Sequence, residues 1–124
     1  MYKRQVGGYG VALAAARAGG DEPTLRADAA RLADARPTAV NLGWAVQRVL
    51  AAALAAPAGG RAAAAVAEAH ALAAQDAAAS AAMATHGLAL VPEDARVLTH
   101  CNTGRLVSAG AGTCLLYTSP SPRD

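Results

Sequence analysis

The chain has 124 residues, 54% of them hydrophobic but only 3% aromatic, with 11 Lys and Arg against 9 Asp and Glu. A balance of +2 with no clustered basic surface gives no electrostatic case for nucleic acid, and two cysteines, Cys101 and Cys114, are too few for a disulfide scaffold. Phenylalanine is absent and much of the apolar content is alanine, which favours helix but buries little area per residue; the expected core is thin, a layer of helices that packs against something the chain lacks.

Both ends are set aside before the elements are read. Residues 114–124, Cys-Leu-Leu-Tyr-Thr-Ser-Pro-Ser-Pro-Arg-Asp, look like a translated adaptor from sequencing-library preparation, and residues 1–5, Met-Tyr-Lys-Arg-Gln, look like the same adaptor read on the other strand. Residues 6–113 then hold eight Arg and no Lys against eight Asp and Glu, so the charge is zero and the basic balance is an end effect. Cys101 is left alone, which fits a reducing compartment. The opening residues mimic a signal peptide, but the apolar run covers only Val11–Ala16 and its charges, Lys3 and Arg4, lie in the residues set aside. The alanine-rich stretch 62–85 is interrupted by Glu68, His70, Gln75 and Asp76, which a membrane-spanning helix tolerates poorly. The expectation is a soluble, cytoplasmic protein with no membrane partner.

In chain order, residues 9–18 read as a short helix ended by Gly19-Gly20. Asp21-Glu22-Pro23-Thr24 restarts the chain, because Asp or Thr caps a helix and proline suits its first turn. A second helix over 24–35 puts Leu25, Ala29 and Leu32 on one face, and Pro37 stops it. The third, over 38–56, carries Leu42, Val46, Val49, Leu50, Ala53 and Leu54 at three- and four-residue spacing. Pro57 and Gly59-Gly60 end it, and a long helix follows over 61–86 with Gly87 as its C-cap. After a turn at 91–94, residues 95–100 read as a short strand, Cys101–Gly104 as a strand-to-helix turn and 105–112 as the start of a further helix. The fold class is mainly α: a helical unit over 6–90, then the opening of an α/β unit over 91–113.

Taken on residue type alone, the candidates for chemistry are few. Arg36 stands before Pro37 at the mouth of a helix, where free N–H groups and the helix dipole favour an anion and a guanidinium fork suits phosphate; a solvated surface arginine is the more common outcome. Cys101 stands where a strand should turn into a helix, a position that stabilises a thiolate; a lone cysteine is more often a small buried hydrophobe. His100 is adjacent, but neighbouring strand residues point to opposite faces, so no Cys–His pair is expected. Gly7, Gly8 and Gly10 read as turn or close-packing glycines. His70 and His86 lack metal-ligand spacing and read as surface or packing residues, and Glu68 with Asp76 reads as a solvated helix face.

Two runs carry a resemblance. Arg-Pro-Thr-Ala-Val-Asn-Leu-Gly-Trp-Ala at 36–45 and Leu-Thr-His-Cys-Asn-Thr-Gly at 98–104, in this order and with helix between them, resemble the methylthioribose-1-phosphate isomerase family over essentially all of residues 6–113. The resemblance implies a fragment: the C-terminal part of a helical N-terminal domain plus the first strand and turn of a truncated Rossmann-like domain. It implies an aldose–ketose isomerase of methionine salvage that converts 5-methylthioribose 1-phosphate to 5-methylthioribulose 1-phosphate, with Arg36 contacting the sugar phosphate and Cys101 acting on protons. It implies no metal or organic cofactor, and a homodimer in the full-length enzyme. The family's catalytic aspartate and its Arg-Gly-Ala-Pro loop have no counterpart here, so the fragment is expected to be inactive alone. Gln75-Asp76 falls where the family often has an acidic pair, which leaves a role for Asp76 at a subunit contact or domain seam open. Arg105 and Ala111 depart from the family's small and aromatic residues. Alternatives within the superfamily are ribose-1,5-bisphosphate isomerase and the non-catalytic regulatory subunits of a translation-initiation exchange factor; outside it, an Ala-rich helical interaction module.

Overall fold

The computed structural model describes residues 2–92 together with Ala95, Arg96 and Leu98. Four helices follow in order: α1 (Tyr2–Ala18), α2 (Glu22–Asp34), α3 (Val40–Ala55) and, after a 3₁₀ turn at Ala58–Gly60, α4 (Arg61–Leu88). The chain divides into two compact units, one of residues 3–73 and one of residues 74 onward with residues 1–2. The first unit holds α2, α3, nearly all of α1 and the first half of α4.

Within that unit α1 is the central helix, and its three glycines explain how. Gly7 lies against α3, where an added Cβ would fall 2.9 Å from the Leu42 carbonyl oxygen; Gly8 lies against Ala69 and Leu72 of α4; Gly10 lies against Leu32 of α2. The glycine cluster is therefore helix–helix packing, the second of its two sequence readings. For the same reason α1 runs from residue 2 and not from residue 9: these glycines sit inside the helix and do not end it. Residues 2–5, set aside as a scar, continue this helix because Lys, Arg and Gln are good helix formers. They also make a contact with α3: Arg4 Nε donates to Asn41 Oδ1 at 3.2 Å.

Gly19 and Gly20 end α1 in the left-handed region, at φ 58° and 95°. Asp21 then caps α2, accepting from the Thr24 backbone N–H at 3.0 Å, with Pro23 in the first turn. Hydrogen bonds from Thr24 hold the Asp21 carboxyl below the usual carboxylate range. Arg61 joins the starts of α2 and α4: its guanidinium donates to the Gly20 carbonyl at 2.7 Å and to Glu22 Oε2 at 2.8 Å. Glu22 also receives Arg26 at 2.7 Å, and that bond, helped by the charge of Arg61, lowers its pKa.

The core is as thin as the composition predicts. Its largest fully buried side chains are Leu25, Leu72, Val11, Val46 and Val49, and most of the remainder is alanine. The predicted stripe of α3 faces inward, with Leu54 at its margin. One expectation needs correction. Glu68 and Asp76 do not form a solvated face: Glu68 pairs with Arg48, at 2.5 Å, and Asp76 is buried, as is Ser80 one turn on. The second unit is described through the latter half of α4 and the residues just after it. Ala95, Arg96 and Leu98 have no regular secondary structure; the rest of the predicted strand lies outside the described residues, as do the Cys101–Gly104 turn and the helix over 105–112.

Candidate functional site

Arg36 occupies a tight turn between α2 and α3. The Ala39 N–H donates to the Arg36 carbonyl at 2.9 Å, and Pro37 takes the second position of this turn, where its fixed φ is favourable. Helix α3 accordingly begins at Val40, two residues later than predicted, with Ala39 as an N-cap that offers no side-chain acceptor. Thr38 does not cap it. The Ala39 carbonyl takes the N–H groups of Leu42 and Gly43, at 2.8 and 3.4 Å. A helix start without a side-chain cap leaves its first donors to water or a ligand. The Arg36 side chain is exposed and, among the described residues, has no ion-pair partner. It is a free guanidinium three residues ahead of Ala39, on a turn whose backbone is fixed.

The same run supplies a second group. Trp44, one helical turn into α3, is 45% exposed. The guanidinium carbons of Arg4 and Arg48 lie 5.0 and 5.4 Å from its ring centroid, within cation–π range. Arg48 is held in turn by Glu68 of α4, and Arg4 by Asn41 of α3. The sequence reading did not anticipate this cluster. Trp44 and Arg48 are four residues apart on a helix, a spacing that offered a signal; Glu68 lies twenty residues further on, and no local pattern links it.

Tyr9 Oη lies 3.0 Å from His70 Nδ1, with the rings edge to face, so His70 has a helix-packing role at the surface. His86 is exposed in the last turn of α4. A groove of about 300 Å³ between α1 and α2, lined by Gly10, Leu13, Ala14, Arg17, Asp28, Arg31 and Leu32, does not include Arg36. Arg31 is paired there with Asp28. Among the described residues, no group of three or more His, Cys, Asp or Glu is placed to hold a metal ion, and no helix is long and apolar enough to cross a membrane. Cys101, His100 and Arg105 lie outside the described residues.

Comparison with known proteins bears on the same residues. The initiation factor 2 subunit family matches residues 13–113. Among curated proteins, the methylthioribose-1-phosphate isomerase of Gemmatimonas aurantiaca is 54% identical over 101 residues, covering 78% of this chain and 29% of that protein. The isomerase of the same name from Desulforudis audaxviator is 47% identical over 117 residues, covering 89% and 33%. That of Anaeromyxobacter sp. (strain K) is 53% identical over 107 residues, covering 86% and 30%. The chain thus spans about a third of the length of these relatives. No solved structure matches it. Its match over residues 13–113 places the chain in the initiation factor 2 subunit family, alongside relatives named methylthioribose-1-phosphate isomerase.

Proposed function

We propose that this chain is part of an enzyme that isomerises 5-methylthioribose 1-phosphate to 5-methylthioribulose 1-phosphate in methionine salvage. The observation that carries the reading is the free Arg36 guanidinium on the fixed turn ahead of α3, in a chain about half identical to relatives with that name. The names of the relatives favour this sugar phosphate over ribose 1,5-bisphosphate, and an isomerase over a non-catalytic subunit or an Ala-rich interaction module.

In the complete enzyme Arg36 binds the sugar phosphate, and its planar fork takes two phosphate oxygens at once. Phosphate on the anomeric carbon blocks spontaneous ring opening, so an acid must protonate the ring; an aspartate without a counterpart in this chain does so. Cys101, at the end of the first strand of a Rossmann-like catalytic part, moves a proton between the first two carbons. A thiol suits that step because its pKa lies closer to neutrality than that of a hydroxyl. The reaction needs no cofactor. The full-length enzyme is cytoplasmic and homodimeric, and this chain alone is inactive.

The test is a graft of residues 6–113 into the Gemmatimonas aurantiaca relative, in place of the stretch they match, followed by steady-state kinetics. The graft turns over the sugar phosphate and the 124-residue chain does not. Cys101→Ser lowers kcat by about 100-fold or more with little loss of folding. Arg36→Ala raises KM by about 10- to 100-fold, the range expected for a lost charge-assisted hydrogen bond. Unchanged turnover in Cys101→Ser, or turnover by the isolated chain, overturns the reading.

A further inference from the structure

The groove between α1 and α2 is separate from the Arg36 turn, and nothing above gives it a role. Its floor is low because the α1 residues there are small. Gly10 has no side chain, and a Cβ on it would lie 3.1 Å from Leu32 Cδ1; Ala14 adds a single methyl group. Leu13 stands beside this floor, 62% exposed. Gly10, Leu13, Ala14 and Arg17 follow one another at helical spacing, so all four border the same channel. The polar groups are unevenly matched. Arg31 pairs with Asp28, one turn before it on α2, and their charges cancel. Arg17 lines the same groove, yet among the described residues it has no hydrogen-bond or ion-pair partner. The groove thus joins an apolar floor to a net single positive charge, in about 300 Å³, the lower end of the range for small-molecule sites.

We propose that this groove binds a small monocarboxylate with an apolar chain. The carboxylate sits on Arg17, whose planar guanidinium offers it parallel N–H donors. The chain lies over Gly10 and Ala14, between Leu13 and Leu32. Arg31 gives one amino group to Asp28 and keeps further N–H donors on the same channel. The arrangement selects against the simpler ligands. A neutral apolar molecule leaves the Arg17 charge unmatched. A bare anion such as acetate uses the guanidinium but leaves Leu13 in water. A dianion such as phosphate brings a second negative charge towards Asp28 and gains nothing from the apolar floor. Arg36 provides the contrast, since its guanidinium is equally free but stands outside the groove. The proposal does not depend on the isomerase reading.

The probe is hexanoate, titrated at neutral pH into the 124-residue chain and followed by amide chemical shifts. It binds with a Kd of about 1 mM, as a ligand of so few atoms does in an open groove. The shifts centre on residues 10–17 and 28–32. Acetate lacks the chain and hexanol the charge, and each binds about tenfold or more weakly. Inorganic phosphate does not displace hexanoate. Arg17→Gln weakens hexanoate about tenfold, and Leu13→Ser weakens it about fivefold without changing acetate. Both side chains are exposed, so neither change disturbs the core. Arg36→Ala leaves hexanoate binding as it was. No saturation at about ten times the expected Kd, equal affinity for acetate, or full affinity in Arg17→Gln overturns the proposal. Displacement by phosphate, or loss of binding in Arg36→Ala, overturns it too, because either marks a general anion site. The comparison of the three probes and the shift map use the unaltered chain, so the test stands even where a variant fails to fold. No readout involves turnover, so the outcome is separate from that of the isomerase test.

Discussion

At Gly19 and Gly20 the backbone is left-handed at both positions, yet the two are not equivalent. A Cβ on Gly19 would meet nothing within 4 Å, whereas one on Gly20 would lie 3.2 Å from both the Cβ and the carbonyl oxygen of Ala58. Gly20→Ala therefore adds steric conflict to conformational cost and should lose about 1–3 kcal/mol. Gly19→Asn should change stability by less than about 1 kcal/mol, since asparagine visits this region readily; urea unfolding measures both. Asp21 gives a pH test. Its folded pKa is depressed, so its contribution is present above the unfolded value and is lost as pH falls through the folded one. Between pH ~5 and ~3 the wild type should lose more stability than Asp21→Asn, whose amide caps without titrating. Asp21 and Pro23 were readable from sequence because a cap works within four residues. The Arg48–Glu68 and Arg61–Glu22 pairs were not, because they join helices whose relative position only the packing determines.

Among the helices, α2 and α4 match their predicted spans to within two residues, and α3 starts two late because the Arg36–Ala39 turn uses residues that the periodicity had assigned to the helix. Helix α1 begins seven residues before its predicted start. Glycine suggests a break when read locally, and here it marks where three other helices come close. The consequence is a core that depends on few large side chains. Leu25, at 1% exposure, is one of five such residues. Leu25→Ala should cost about 2–4 kcal/mol by lost burial plus the cavity left behind, measured as a drop in the urea midpoint at unchanged slope. Ala29, one turn along α2, has little volume with which to fill the gap.

For the whole molecule, composition alone indicated a thin helical layer, and the buried set bears that out. The motif at 36–45 located Arg36 because a proline fixes the turn ahead of a helix through local geometry. What completes a site around it was not legible, since that is a matter of contacts far apart in sequence. An alanine-rich core buries little area per residue. The 124-residue chain should therefore unfold at a lower temperature than the same residues within the graft, which differential scanning calorimetry can establish.

The Arg36–Pro37 bond has a practical use. Trypsin cuts after arginine but spares bonds whose next residue is proline, so this exposed arginine leaves no cleavage site. After full digestion the residues from Leu32 to Arg48 come away as one peptide, with Arg36 in its interior. Phenylglyoxal bound to Arg36 then appears as added mass on a fragment whose length does not depend on whether Arg36 has reacted. Labelling with and without 5-methylthioribose 1-phosphate converts the proline that shapes the turn into an occupancy meter for the guanidinium beside it: a bound phosphate suppresses the added mass, and an Arg36 that binds nothing labels equally in both.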